Sequence, residues 1–214
     1  MRSDLTDITV VMDRSGSMNV CQSDAEGGLN HFVDEQKKQP GEALFTLVQF
    51  DHEYEFVHRG IPIRTVPHCP LVPRGNTALL DAVGRAIVET GERLSKRIEA
   101  DRPALVVVVI ITDGQENASK EFSRTKIKEM ISHQQAAYNW QFTYLGANQD
   151  AFAEAGSLGI QGSIAPTTNH TQHAAWGSTS ANTSRMRHAS AANRDVQNEY
   201  TDSELREMKG TDEK

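Results

Sequence analysis

Six short segments of mostly apolar and β-branched residues recur along the chain, each with the length of a buried or half-buried strand. The predicted strands cover residues 7–13, 43–50, 53–60, 104–114, 140–148 and 159–166. The most apolar run, residues 104–111, favours the centre of a parallel sheet. Residues 53–60 alternate between apolar and polar positions after a tight turn at Asp51 and His52, which predicts an antiparallel edge strand.

Helical spacing fills the stretches between these strands, at about residues 20–38, 77–98, 119–137 and 148–156. The second helix has the clearest apolar stripe, made by Leu79, Leu80, Val83, Ala86, Ile87, Leu94 and Ile98. Asn76 and Thr77 lie at its start, and either could cap its first turn. Strands that alternate with helices predict an α/β fold: a doubly wound, mostly parallel six-stranded sheet with helices on both faces, in a Rossmann-like arrangement.

The organisation of the chain changes after the sixth predicted strand. Residues 1–166 are predicted to form the α/β domain, in which Gly27 and Gly28 imply close packing of the first helix against a neighbour. Residues 167–192 have sparse apolar anchors, among them Trp176, and predict a helical extension docked on the domain. Residues 193–214 are almost entirely polar or charged, which predicts a mobile tail.

Composition excludes several classes of partner. The chain has 214 residues and a formal charge of -7, which disfavours nucleic acid because no concentrated basic patch offsets it. No apolar run is long enough to cross a membrane, and the acidic amino-terminal stretch does not resemble a secretory signal. Cys21 and Cys69 indicate neither a disulfide framework nor a metal pair, so we expect two buried thiols. We therefore expect a cytoplasmic protein, with no signal for its oligomeric state.

Oxygen-bearing side chains cluster where predicted strands end. Asp13, Ser15 and Ser17 follow the first strand, Asp113 follows the most apolar strand, and Thr77 opens the second helix. Sites in open α/β sheets form beyond the carboxyl ends of the strands, so all five should meet at one rim. Two carboxylates and three hydroxyls suit a hard cation such as Mg²⁺ better than zinc. The sequence therefore predicts a magnesium site.

Three motifs carry a family resemblance. "MDRSGSM" (residues 12–18), "GNTALLDAV" (75–83) and "IITDGQENAS" (110–119) resemble, in order and spacing, the metal-binding loops of the von Willebrand factor type A (vWA) domain. The resemblance extends over about residues 5–165 and is greatest to the small intracellular bacterial and phage members of that family. It implies a metal-ion-dependent adhesion site, known as MIDAS.

What the resemblance implies can be stated residue by residue. The hydroxyls of Ser15, Ser17 and Thr77 would ligate the ion directly, and the carboxylates of Asp13 and Asp113 would often act through water. The ion, Mg²⁺ with Mn²⁺ or Ca²⁺ as alternatives, would keep a position open for an Asp or Glu of a protein partner. The expected function is a non-catalytic, metal-dependent protein-interaction module.

Other interpretations stay open at this point. Each hydroxyl could be a helix cap, and Asp113 could be a turn residue. A metal-dependent hydrolase or phosphatase could use the same ion, although Ser15 stands where a phosphoaspartyl enzyme needs its second acid. A structural or assembly role, in a phage particle or a multiprotein complex, is a third alternative. The remaining polar candidates have simpler expected roles: a solvated surface for His170 and His173, a turn for Asp51, and an exposed first helical turn for Asp81.

Overall fold

The computed structural model describes residues 1–146, 151–166 and 171–209, and it contains a six-stranded sheet. The strands are β1 (Arg2–Asp13), β2 (Glu42–Phe50), β3 (Tyr54–Pro62), β4 (Pro103–Thr112), β5 (Gln141–Gly146) and β6 (Ile164–Pro166). Their order across the sheet is β3-β2-β1-β4-β5-β6. β3 pairs antiparallel with β2 at one edge, and the other neighbours pair in parallel. The predicted fold class is confirmed.

Helices cover both faces of the sheet. They are α1 (Gln22–Lys38), α2 (Leu79–Ser95), α3 (Arg124–Tyr138), α4 (Ala151–Ser157), α5 (Gln172–Ala191) and α6 (Asp202–Lys209). Side chains alternate along a strand, so Val10 and Met12 of β1 pack in the core layer with α1 and α5. Val11 packs in the opposite layer, with α2 and α3. Within the part of the chain that the structure describes, no helix is long and apolar enough to cross a membrane.

The start of α2 differs from the sequence expectation. Neither Asn76 nor Thr77 is the N-cap residue of the helix. That position is occupied by Ala78, whose side chain cannot form a capping hydrogen bond. The Leu80 amide instead donates to Glu116 Oε2 at 2.9 Å, a residue far along the chain. Helix starts leave amide groups without intrahelical partners, and here the loop after β4 supplies the acceptor.

Asp81 is also placed differently from the exposed position expected for it. Its side chain is buried and accepts hydrogen bonds from three successive backbone amides, those of Lys120, Glu121 and Phe122, at 2.7 to 2.9 Å. A carboxylate that receives this many amide donors is well satisfied without solvent. Asp81 therefore attaches the segment before α3 to the first turn of α2.

The seam between α1 and α5 confirms the expected close packing at one of the two glycines. A Cβ at Gly28 would overlap the indole ring of Trp176, whereas a Cβ at Gly27 would meet nothing within 4 Å. Trp176 is only 2% exposed and lies against Phe32, with 5.9 Å between ring centroids. Trp176 is thus the packing anchor that the sequence predicted for the docked helix.

The segment after α5 differs from the mobile tail that we expected. Asn198 is buried, donates from Nδ2 to the Phe142 carbonyl at 2.8 Å and accepts from Asn182 at 2.8 Å. The α6 helix follows, and its Met208 is 2% exposed within the main core layer. A few apolar anchors and a buried amide network attach this polar segment to the domain. Residues 210–214 lie outside the described part of the chain.

Candidate metal site

The first loop of the site begins where β1 ends. Asp13 is fully buried, and its two carboxylate oxygens accept hydrogen bonds of 2.6 Å each, from the Ser15 amide and from the Thr112 hydroxyl. A short 3₁₀ helix, Gly16–Val20, follows at once and presents Ser17 to solvent. The Ser15 and Ser17 hydroxyl oxygens are 3.0 Å apart. The local hydrogen bonds therefore hold one carboxylate and two hydroxyls together.

The loop after β4 brings the other two residues to the same place. The Ser17 hydroxyl donates to Asp113 Oδ1 at 2.7 Å. A Cβ built on Gly114 would lie 2.6 Å from Thr77 Oγ1 and 3.3 Å from Ser15 Oγ, so both hydroxyls crowd the same glycine. The structure therefore brings together all five side chains that the sequence singled out. Their role as metal ligands stays a prediction.

The electrostatics of the cluster fit a cation. The pKa of Asp13 is raised to about 6, mainly by burial and to a smaller extent by the nearby charge of Asp113, and the hydrogen bonds from Thr112 and Ser15 oppose this rise. Burial also raises the pKa of Asp113, although the hydrogen bond from Ser17 opposes this. Two carboxylates in a shared, poorly solvated site favour a positive ion between them. The donor set, all oxygen, is the kind that Mg²⁺ and Mn²⁺ prefer.

Further polar residues position the Thr77 loop, and the sequence reasoning missed them. The Thr77 amide donates to Asn117 Oδ1 at 3.0 Å, and the Thr77 carbonyl accepts from the Asn117 amide at 3.0 Å. Glu116 accepts from the amide and hydroxyl of Ser119, at 2.8 and 2.7 Å, as well as from the start of α2. The density of polar residues directly after β4 was the available signal. This density of polar residues indicates that the loop after β4 holds the loop that carries Thr77 in place.

Arg14 was also missed, although it lies inside the first motif. Its side chain is 8% exposed, and it donates to Asp51 at 3.0 Å and to Glu55 at 2.9 Å. Asp51 also receives Arg74 at 2.8 Å and the Glu53 amide at 2.8 Å. Asp51 is therefore the turn residue that the sequence predicted, and in addition the centre of a buried charge cluster. The cluster joins β1, the turn before β3 and the loop that leads to Thr77.

Asp51, His52 and Glu53 are close enough together to hold a metal ion. The charges around them argue against this use. The guanidinium groups of Arg14 and Arg74 both contact Asp51 Oδ2 and would repel a cation there. Burial alone raises the pKa of Asp51, but hydrogen bonds from Arg74 and the Glu53 amide, with the charge of Arg14, outweigh it and lower that pKa overall. The Asp51 carboxylate thus forms ion pairs with two arginines, Arg14 and Arg74, which is a structural role.

Among the residues that the structure describes, His173 does not belong to a group of three or more side chains that could hold a metal ion. His170 lies outside the described residues. His173 is exposed, as expected, and its ring centroid is 5.9 Å from that of His31 on α1. Two exposed rings alone do not make a structural zinc site, which takes four ligands.

Comparisons with known proteins support the fold through structure alone. No family model and no curated protein matches the chain. A vWA protein from Catenulispora acidiphila superposes with a TM-score of 0.55 at 14% identity, over 87% of this chain and 42% of that one. Manganese-loaded TRAP protein from Plasmodium vivax gives a TM-score of 0.52 at 15% identity, over 75% of this chain and 65% of that one. Proximal thread matrix protein 1 from the mussel byssus gives 0.49 at 18% identity, over 72% and 38%.

The two likenesses with TM-scores above 0.5 show a vWA-type fold. This chain spans between 38% and 65% of the length of those three proteins. The identities are low, so the comparison carries the arrangement of strands and helices and not the activity of any neighbour.

Proposed function

We propose that this chain is a metal-dependent protein-interaction module. A divalent cation at Asp13, Ser15, Ser17, Thr77 and Asp113 would bind an acidic side chain of a protein partner. The observation that carries the proposal is the convergence of these five side chains at one rim, with Gly114 leaving the space between two of the hydroxyls open.

The donor set explains why such an ion would bind a partner. Three of the five donors are neutral hydroxyls. The two carboxylates can at most neutralise a divalent cation, so the site has no excess negative charge. A cation held in this way stays electrophilic and gains from a further carboxylate. Mg²⁺ is our first choice because of its abundance and preference for oxygen, and Mn²⁺ or Ca²⁺ could take its place. The manganese-loaded state of the similarly folded TRAP protein supports a divalent ion.

A binding role is favoured over hydrolysis by the state of the nearby carboxylates. A hydrolase needs a side chain that is free to accept a proton from water. Glu116 already accepts hydrogen bonds on both oxygens, and both oxygens of Asp51 are engaged as well. We therefore propose a non-catalytic module, and we include in the proposal the cytoplasmic location expected from the sequence.

Affinity capture from the native cell tests this function. The protein is used as bait in Mg²⁺ and again in EDTA, beside a Thr77→Ala variant. A Ser95→Ala variant is the control, because Ser95 is an exposed hydroxyl residue at the far end of α2. We expect partners that are captured by the wild type and the control in Mg²⁺ only, and lost with Thr77→Ala. Capture that persists in EDTA and in Thr77→Ala would contradict the proposal.

A screen for activity separates the proposal from the hydrolase alternative. Phosphoesters and nucleotides are offered to the Mg²⁺-loaded protein and to an Asp113→Asn variant. We expect no turnover above background from either protein. Turnover by the wild type that disappears with Asp113→Asn would favour an enzyme instead.

A further inference from the structure

A cavity lies between α2 and α3 at the amino-terminal ends of the strands, the end of the sheet opposite the candidate metal site. We call it the α2–α3 cavity, and its volume is about 280 Å³. It is lined by the start of β4, by Trp140 just before β5, and by the last turns of α2 and α3. Small-molecule sites are commonly clefts of about 300 to 1,000 Å³, so the cavity has room for a small ligand.

Apolar groups form most of the wall of the α2–α3 cavity. Leu94, Val106 and Trp140 are each at most 8% exposed and belong to the core layer on this face of the sheet. Tyr138 also lines the cavity but is 60% exposed, and its ring centroid is 5.6 Å from that of His133. The cavity therefore extends from the core layer to the surface. An apolar group that enters it is removed from water.

Gly91 leaves space open beside α2. Glycine is a poor residue for the interior of a helix, and a Cβ built on Gly91 would meet nothing within 4 Å. Gly91 lines both the cavity and a more open groove of about 520 Å³ between α2 and α3. That groove is lined by Lys126, Glu92 and Glu129 and so has both signs of charge. A larger side chain at position 91 would enter this space.

One cation lines the α2–α3 cavity. Arg102 is half-buried, and no Asp or Glu is among the described residues of the cavity wall. Its Nε donates to the Arg97 carbonyl at 2.9 Å and its Nη2 to the Ser95 carbonyl at 3.3 Å. In the part of the chain that the structure describes, Nη1 has no hydrogen-bond acceptor. One guanidinium nitrogen is thus left for a ligand.

The charge of Arg102 is not offset by a carboxylate. Arg85, on the same helix as Gly91, pairs with Glu121 at 2.6 Å. Arg102 makes no ion pair of this kind with any described residue, although Asp101 precedes it in the chain. A half-buried guanidinium without a carboxylate partner gains from an anion that the ligand brings.

We propose that the α2–α3 cavity binds a small monocarboxylate with an apolar body, such as a medium-chain fatty acid. The apolar body occupies the space beside Leu94, Val106 and Trp140, and the carboxylate accepts hydrogen bonds from Arg102. A guanidinium is planar and matches the two oxygens of a carboxylate, which favours this anion over a cation or a neutral group. The proposal does not depend on the metal site.

Two amphiphiles of equal chain length test the choice of ligand. Decanoate and decyltrimethylammonium are titrated calorimetrically into the protein in EDTA, each below the concentration at which it forms micelles. We expect one saturable site for decanoate, at least about tenfold tighter than for the cation. Tryptophan fluorescence should change over the same range, because Trp140 lines the cavity. Absence of saturable decanoate binding, or equal affinity for both amphiphiles, would overturn the proposal.

A variant that fills the cavity tests its place in the fold. Gly91→Leu should weaken decanoate binding at least about tenfold, because the new side chain occupies the ligand space. Gly27→Leu on α1 is the matched control, since a Cβ there also meets nothing within 4 Å. Both changes replace a helical glycine by a better helix former, so both variants should stay folded in thermal melts. Wild-type decanoate affinity in Gly91→Leu would contradict binding in this cavity.

Substitutions of Arg102 test the assigned partner of the carboxylate. Arg102→Gln removes the charge but keeps a hydrogen-bond donor, and Arg102→Lys keeps the charge. We expect Arg102→Gln to lose most of the preference for decanoate over decyltrimethylammonium, and Arg102→Lys to retain it in part. An unchanged preference in Arg102→Gln would show that Arg102 does not bind the carboxylate and would overturn the proposal.

Discussion

At the scale of single residues, the site depends on Gly114, which has no side chain, as much as on its five oxygen-bearing side chains. Gly114 directly follows Asp113, and a Cβ there would meet the hydroxyl oxygens of Thr77 and Ser15 at 2.6 and 3.3 Å. A contact at 2.6 Å is shorter than carbon and oxygen tolerate, so one of the hydroxyls would have to move. The glycine therefore keeps the ligand positions within reach of one ion.

A Gly114→Ala variant should bind Mn²⁺ at least about tenfold more weakly than the wild type, because displaced ligands bind a metal with a strict geometry poorly. Calorimetric titration measures the affinity. Gly91→Ala is the matched control, since a Cβ at Gly91 would meet nothing within 4 Å. Wild-type affinity in Gly114→Ala would show that Thr77 and Ser15 do not hold the ion.

Some residues of the site could be predicted from the sequence, and others could not. Asp13, Ser15 and Ser17 could be predicted because ligands at the end of a strand stand close together in the chain. Arg14 and Asn117 could not be assigned a role, because their partners, Asp51 and Thr77, are brought to them only by the fold. Supporting contacts between distant loops leave no periodic pattern in a sequence.

Asp51 gives the fold a dependence on pH. Its pKa is lowered in the folded protein, so its ionised form stabilises the fold above the pKa of the unfolded chain, about 4. That stabilisation is lost as the pH falls through the lower, folded pKa. In thermal melts, Asp51→Asn should lower stability at pH 7 by roughly 2 to 4 kcal/mol, because it leaves Arg14 buried with one anion fewer. Its stability should also fall less than that of the wild type between pH 7 and pH 3.

The control for this prediction is Asp34→Asn. Asp34 pairs with Lys37 on the surface of α1, and its side chain is 63% exposed. Surface pairs of this kind contribute little to stability. If Asp51→Asn and Asp34→Asn gave the same melting curves across the pH range, the buried charge cluster would not stabilise the fold.

At the scale of elements, α1 connects the fold to the site. One of its faces packs on α5 through Gly28 and Trp176. Another face holds the loop of residues 66–76 through side-chain hydrogen bonds of Gln22, Glu26 and Asn30. The two glycines of this helix were a readable signal of close packing, but only the structure distinguishes their roles. From the sequence alone, the stripe of Gln22, Glu26 and Asn30 cannot be distinguished from an ordinary solvent-exposed helix face.

The neighbouring glycines of α1 allow a sharp test of this packing. Gly28→Ala should destabilise the protein by about 1 to 3 kcal/mol, because its methyl group would overlap Trp176. Gly27→Ala meets no neighbour and should stabilise the helix by about 0.5 to 1 kcal/mol. Urea unfolding of both variants measures the difference. Equal stabilities would argue against a close contact between α1 and α5.

A comparison of the predicted and observed bounds of strands and helices shows which sequence signals depend on neighbouring residues alone. The predicted strands agree in position with the observed ones because short apolar runs mark them, although β1 begins at Arg2 rather than residue 7 and β6 is limited to Ile164–Pro166. The start of α2 was misread because its acceptor, Glu116, comes from another loop. Long-range capping cannot be read from residues that adjoin a helix.

At the scale of the whole molecule, the carboxyl-terminal segment completes the core on one face of the sheet. Val196, Tyr200 and Leu205 pack against the same core layer as α1 and α5. Sequence composition predicted a mobile tail, since these anchors are few and widely spaced among polar residues. Their effect depends on a docking surface that the composition of the segment does not reveal.

Met208 tests whether this segment belongs to the cooperative unit. Met208→Ala should lower the free energy of unfolding by about 2 kcal/mol or more, because the side chain is 2% exposed in the main core layer. Glu207→Ala, an exposed change one residue earlier, should leave stability close to that of the wild type. Urea unfolding compares them. A Met208→Ala variant as stable as Glu207→Ala would mean that the segment does not contribute to the core.

The most direct test of the central claim is a calorimetric titration of Mg²⁺, and of Mn²⁺ in parallel, into the wild type, Thr77→Ala and Ser95→Ala. The account predicts a single saturable site in the wild type and in Ser95→Ala, with uptake lost or strongly weakened in Thr77→Ala. No uptake by the wild type, or equal uptake by Thr77→Ala, would contradict a cation held by the five side chains at the carboxyl ends of β1 and β4.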